Sequence, residues 1–145
     1  MERVILNSLK DTEKFAKKIA KTFVGGEVVL LSGDLGAGKT TLTKYILKSL
    51  GVKDDVSSPT FTIMKEYKGK KFDIYHFDMY RLSSGVEAQE FGLEDYIYSG
   101  SDKSIVFIEW AENIKDILKG EFLKIEIKLL DNNVRELFVK RESFV

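Results

Sequence analysis

Two short stretches of the chain are apolar almost without a break, and much of the rest alternates. Glu27–Ser32 (EVVLLS) and Ser104–Glu109 (SIVFIE) have the aliphatic content of strands buried on both faces, as in a parallel sheet. Phe61–Tyr67 (FTIMKEY) and Phe72–Tyr80 (FDIYHFDMY) alternate apolar with polar residues around the turn Lys68-Gly69-Lys70-Lys71, which predicts a β-hairpin with a solvated basic tip. Phe122–Leu130 and Val134–Lys140 predict a second hairpin around Asp131-Asn132-Asn133. Arg3–Leu6 is short enough for an edge strand. Helical spacing appears at Phe15, Ala16, Ile19, Ala20 and Phe23, behind a Ser8/Asp11 pair resembling a capping box and ahead of the stop Gly25-Gly26. Leu42, Ile46 and Leu50 share one face of a helix over Thr41–Leu50, stopped by Gly51. Shorter helices are expected within 83–100 and over Ala111–Leu118. The pattern predicts an α/β domain, residues 1–145, with a mostly parallel central sheet flanked by helices and added antiparallel hairpins.

Composition narrows the function class. A chain of 145 residues is long enough for one real core. The 23 basic and 23 acidic residues cancel, so a broad basic surface for nucleic acid is not signalled. With no cysteine there is no disulfide framework, thiolate nucleophile or Cys-based metal site. No apolar run reaches the length of a membrane span and the charged start lacks a signal-peptide core, so a cytoplasmic protein is expected.

The chemistry centres on Gly33–Thr40, GDLGAGKT, which fits the phosphate-binding P-loop G-x-x-x-x-G-K-[ST] at every fixed position. A chance match in a chain of this length has odds of about 1 in 200. Here a buried strand precedes the loop and a helix follows, as the motif requires. Gly33, Gly36 and Gly38 allow backbone turns that turn N–H groups inward around phosphate oxygens. Gly33, Asp34, Leu35, Gly36, Ala37, Gly38, Lys39, Thr40 and the adjoining Thr41 are thus the candidate ATP-phosphate site. Lys39 would reach the β- and γ-phosphates, and the Thr40 hydroxyl would ligate Mg²⁺. Asn113-Ile114-Lys115-Asp116 is not N-K-x-D, so ATP is favoured over GTP.

Other polar positions take their meaning from that loop. Glu109 ends an apolar strand, the position from which a Walker B carboxylate reaches Mg²⁺. Asp78 is a candidate for orienting water or holding Mg²⁺ through water. His76, the only histidine, shares its face and is either structural or part of a polar surface beside the phosphates. Thr60, after the only proline, is either a γ-phosphate sensor or a loop residue. Thr12 lies either near the nucleotide base or at a solvated helix start. Trp110 either covers the site, stacks on a partner or packs in the core, and Arg135 is a possible nucleotide contact. Arg81 is the one evident candidate for an arginine finger in cis.

The set GDLGAGKTT, SSPTFTIMKEY, HFDMYRL, FGLEDY and IEWAEN resembles the TsaE family, the bacterial tRNA threonylcarbamoyladenosine biosynthesis ATPases, from about Thr12 to Asn113. SPTF, H-x-D-x-Y-R and IEW at these spacings are far more specific than the P-loop alone; Ala111 stands where the family often has proline. The resemblance implies a small ATPase that supports, without itself performing, threonylcarbamoyl transfer to tRNA adenosine. Its partners would be proteins of the transferase complex, with tRNA engaged indirectly and no membrane. It implies ATP phosphates on Gly33–Thr40, Mg²⁺ on Thr40 and Glu109, and a catalytic set of Lys39, Thr60, Asp78 and Glu109. Trp110 would lie near the nucleotide, with Thr12 and Arg135 towards the base. Two other readings stay open: a nucleotide-dependent binding module with incidental hydrolysis, and a small-molecule kinase, for which no acceptor site is evident.

Overall fold

The computed structural model describes residues 2–34, 36–57, 59, 63–98 and 101–145. Seven strands form one mixed sheet, flanked by helices, in the order β1-β7-β6-β2-β5-β4-β3. They are β1 (Glu2–Leu6), β2 (Val28–Ser32), β3 (Met64–Lys68), β4 (Asp73–Asp78), β5 (Ser104–Glu109), β6 (Gly120–Leu129) and β7 (Arg135–Phe144). Between them run α1 (Leu9–Ala20), α2 (Lys39–Ser49), α3 (Gly85–Glu90) and α4 (Leu93–Ile97), with 3₁₀ turns at Ala111–Ile117 and Asp131–Asn133.

Parallel pairing is confined to the centre: β6 with β2, β2 with β5, and β5 with β4. The two expected hairpins form the sheet's flanks, β3 antiparallel to β4 and β7 antiparallel to β6, with β1 pairing outside β7. The sheet is therefore mixed, with a parallel core.

Strict alternation in the apolar strands explains the two-faced core. Val29, Leu31, Ile105 and Phe107 point to one side, where Phe15, Ile19, Ile46 and Leu47 of α1 and α2 cover them. Leu30, Val106 and Ile108 point to the other, beneath Ala88, Leu93, Ile114 and Ile117. With both faces covered, β2 and β5 read as continuous apolar runs.

Boundaries differ from expectation where tertiary contacts decide. The first helix stops at Ala20, although Phe23 beyond it remains buried. Ser8 caps it by accepting from the Asp11 N–H at 3.2 Å, but Asp11 reaches back to the Asn7 N–H, one residue beyond the Ser8 N–H of a strict capping box. The strand expected from Phe61 begins at Met64, just after Ile63 at φ 69°; 61 and 62 lie outside the described residues. Ala111–Ile117 is 3₁₀ and kinked at Ile114 instead of α-helical. The last strand runs to Phe144 because β6 supplies partners that far. The basic tip is exposed at Lys70 and Lys71, while its backbone is docked: the Lys70 N–H donates to the Leu50 carbonyl at 2.9 Å. No helix among the described residues is long and apolar enough to cross a membrane.

Candidate functional site

The parallel strands deliver three functional segments to one end of the sheet. Beyond β2, the chain enters the glycine loop. Gly33, Gly36 and Gly38 take φ of 148°, 81° and 108°, as a loop curling its backbone around a ligand requires. At Gly33 a Cβ would meet the Ile127 carbonyl oxygen at 2.5 Å, so that turn also needs glycine for space, whereas at Gly36 a Cβ would meet nothing within 4 Å among the described residues. Gly38 caps α2 with no side-chain acceptor, leaving first-turn N–H groups of α2 without a side-chain cap. Leu35 lies outside the described residues, as does Thr60.

Lys39 is buried at the start of α2. Its ammonium donates to the Gly33 carbonyl at 2.6 Å and stands 3.9 Å from the centroid of the Trp110 ring. Burial pulls this ammonium below lysine's ordinary range, against the raising fields of Glu109, Glu112, Asp78 and Asp34. Four carboxylates thus act on this one lysine through their fields, and two of them, Asp78 and Glu109, share its cleft.

Asp78 and Glu109 are the last residues of β4 and β5 and are paired in register, so their Cα atoms are one strand spacing apart, about 4.8 Å. Both are buried. Asp78 Oδ1 accepts from the Tyr80 N–H at 2.9 Å. Glu109 Oε2 lies 2.6 Å from Nε2 of His76, which is fully buried behind it. The strand register continues past both acids through the Met79 N–H, which donates to the Glu109 carbonyl at 2.9 Å. Trp110 then turns sharply, at φ 59°, and its ring packs 5.0 Å from that of Tyr80.

These groups line one cleft of about 320 Å³, with Gly36, Gly38, Thr40 and Thr41 on one wall and Asp78, Tyr80, Glu109 and Trp110 on the other. That is the low end of the roughly 300–1,000 Å³ typical of small-molecule sites. Arg135 closes it from β7. Its Nε donates to the Ala37 carbonyl at 2.8 Å, so it clamps the glycine loop from behind. Thr12 sits in a small adjoining cavity shared with Gly38, Thr41 and Arg135. It is buried and its hydroxyl donates to the Ser8 carbonyl at 3.3 Å, so it does not solvate the helix start. Asp34 is exposed on the loop and reaches Lys39 through its field alone.

Tyr80 and Glu112 were not singled out as site residues from sequence. A signal for Glu112 was present: it follows Glu109 by three positions and sits in a 3₁₀ turn, where period three keeps its charge near the same end of the sheet. Volume does not choose the site. A cleft of about 380 Å³ lies where the ends of α1 and α2 meet the β3–β4 turn, and it is lined by lysines without a carboxylate.

The family model described as threonylcarbamoyl adenosine biosynthesis protein TsaE matches residues 6–137. This chain belongs to the TsaE family. It is 41% identical over 141 residues to the tRNA threonylcarbamoyladenosine biosynthesis protein TsaE of Rickettsia typhi, covering 97% of this chain and 95% of the relative. The Aquifex aeolicus member is 39% identical, with 98% of each chain covered. The crystal structure of YdiB from Bacillus subtilis superposes with a TM-score of 0.80 at 34% identity, over 99% of this chain and 86% of the other. The TsaE match thus spans the glycine loop, both strand-end acids, Trp110 and Arg135.

Proposed function

We propose that this chain is a single-domain ATPase of the P-loop NTPase type that works with Mg²⁺ in the biosynthesis of threonylcarbamoyladenosine in tRNA. The observation that carries the reading is the placement of Lys39 between the glycine loop and the two strand-end carboxylates, Asp78 and Glu109, that line the same cleft. A site so rich in acid repels a bare polyphosphate and suits one that arrives with a divalent cation. The open side of Gly36 and the uncapped start of α2 offer backbone donors to phosphate oxygens.

Each residue then has a role. Lys39 leaves the Gly33 carbonyl and the Trp110 ring for the β- and γ-phosphates. The Thr40 hydroxyl and Glu109 would hold Mg²⁺, which when bound would offset the negative charge of the phosphates. Asp78, one strand over, orients the attacking water and accepts its hydrogen bond. Trp110 and Tyr80 wall the cleft and limit solvent. Arg135 keeps the loop's shape, and Thr60 is the proposed γ-phosphate sensor. Catalysis is then positioning and charge stabilisation, with no covalent intermediate on the protein.

Turnover by the isolated chain is slow in this reading, and the threonylcarbamoyl-transferase proteins accelerate it. The test is phosphate release from ATP–Mg²⁺ by the purified chain, alone and with those proteins, for the wild type and Asp78→Ala. Stimulation that Asp78→Ala abolishes, with ATP binding retained, supports a coupled ATPase. Full tRNA modification by a variant that releases no phosphate would move the reading to a nucleotide-dependent binding module.

A further inference from the structure

His76 is the chain's only histidine, and it is fully buried. It sits on β4 two residues before Asp78 and therefore on the same face of the sheet. Its Nε2 meets Glu109 Oε2 at 2.6 Å, and its Nδ1 has no hydrogen-bond partner among the described residues. Among those residues the ring therefore makes one polar contact, to one carboxylate oxygen. An apolar residue here would remove one unpaired nitrogen but leave Glu109 Oε2 buried without its partner, so the ring's one polar contact serves the carboxylate. The imidazole does something for Glu109 that packing alone does not.

We propose that His76 is a positioning residue that takes up Glu109 Oε2 and leaves Oε1 to face the cleft as a single ligand for the divalent cation. An ionised Glu109 only accepts, so Nε2 carries the proton and Nδ1 is the bare nitrogen. This tautomer, part of the proposal, fits the pairing, in which Nδ1 is the nitrogen without an acceptor among the described residues. With Oε2 engaged, the carboxylate cannot rotate to grip the ion with both oxygens. It also holds its orientation next to Asp78 when the cleft is empty. Hydrogen bonds of this kind behind a metal ligand typically change metal affinity by roughly 10- to 100-fold. The proposal rests on the magnesium reading above and extends it to a residue that never touches nucleotide.

Two measurements test it. The first is binding of a non-hydrolysed ATP analogue by calorimetry, in EDTA and across graded MgCl₂, for wild type, His76→Leu and His76→Gln. His76→Leu should need roughly 10- to 100-fold more Mg²⁺ to reach half its Mg²⁺-dependent gain in affinity, while affinity in EDTA stays within about threefold of wild type. His76→Gln, whose amide can donate to Glu109, should recover most of that loss. An unchanged Mg²⁺ requirement in a folded His76→Leu overturns the proposal. So does equal loss of affinity with and without Mg²⁺, the mark of a merely structural residue.

The second measurement does not depend on any variant folding. A long-range ¹H–¹⁵N spectrum of the wild type contains one imidazole. It should show the Nε2–H form, and its Nε2 signal should move when Mg²⁺ joins the bound nucleotide more than when nucleotide binds alone. An Nδ1–H form overturns the proposal even if nucleotide binding depends on Mg²⁺. If wild-type nucleotide binding ignores Mg²⁺ while the Nε2–H form is seen, the magnesium reading itself fails, and the role of His76 with it.

Discussion

Gly33 and Gly36 stand three residues apart in one loop, both at positive φ, yet the structure asks different things of them. Alanine at Gly36 incurs backbone strain alone, about 1–2 kcal/mol, because no atom of the described residues lies within 4 Å of the new Cβ. Alanine at Gly33 incurs comparable or greater strain at φ 148° and also places Cβ 2.5 Å from the Ile127 carbonyl oxygen. Ordinary contact needs about 3.5 Å or more, so roughly 1 Å of movement is required. That oxygen belongs to the backbone of β6, which is held between β2 and β7. The clash therefore adds about 1–3 kcal/mol, the usual cost of forcing extra atoms into packed structure. At about 2–4 °C per kcal/mol for a chain near this size, Gly33→Ala should melt about 2–12 °C below Gly36→Ala. The assay is calorimetric or fluorescence-monitored thermal unfolding without nucleotide. Equal midpoints, or a lower one for Gly36→Ala, would refute the claim that the loop's first turn is seated on β6.

Three more outcomes follow from the cleft. Arg135→Ala removes the donor to the Ala37 carbonyl and should weaken binding of a non-hydrolysed ATP analogue about tenfold, roughly 1.4 kcal/mol, by calorimetry; unchanged affinity would mean the clamp does not shape the loop. Trp110, the only tryptophan, lies under the Lys39 ammonium, so its emission should change when ATP–Mg²⁺ draws that ammonium away; no change on saturation would contradict the proposed movement. Lys39 is held below its unfolded value of 10.5, so in the window between its folded value and 10.5 the unfolded chain keeps a proton that the folded chain has lost. Stability contributed by this group therefore rises with pH through that window. Urea unfolding of wild type minus Lys39→Met, from about pH 7 to about pH 10.5, should show the rise, and a flat difference would count against it.

The parallel core was legible because β2 and β5 are buried on both faces, a condition that writes itself into composition as EVVLLS and SIVFIE. The loop was legible because its glycines answer to local backbone geometry. What could not be read depends on residues far apart in the chain. His76 and Glu109 are 33 positions apart, and Arg135 and Ala37 are 98 apart; neither pairing leaves a periodic trace. Strand ends at Met64 and Phe144 were missed for the same reason, since a strand stops where its neighbour does. Of the two roles weighed for Thr12, solvating the helix start fails because the residue is buried and bonds into its own helix turn.

The arginine on the loop has a consequence for the order in which the protein is made. The GDLGAGKT segment and α2 are made before the residue that holds the loop's backbone, which is encoded 98 positions after Ala37. The strand that seats Gly33, through Ile127, also follows the loop in the chain. A nascent chain that already displays the whole motif therefore still lacks the shape that the motif takes in the finished fold. The loop takes its finished shape only once β6 lies beside β2 and β7 beside β6. The motif is thus complete as a sequence before it is complete as a geometry.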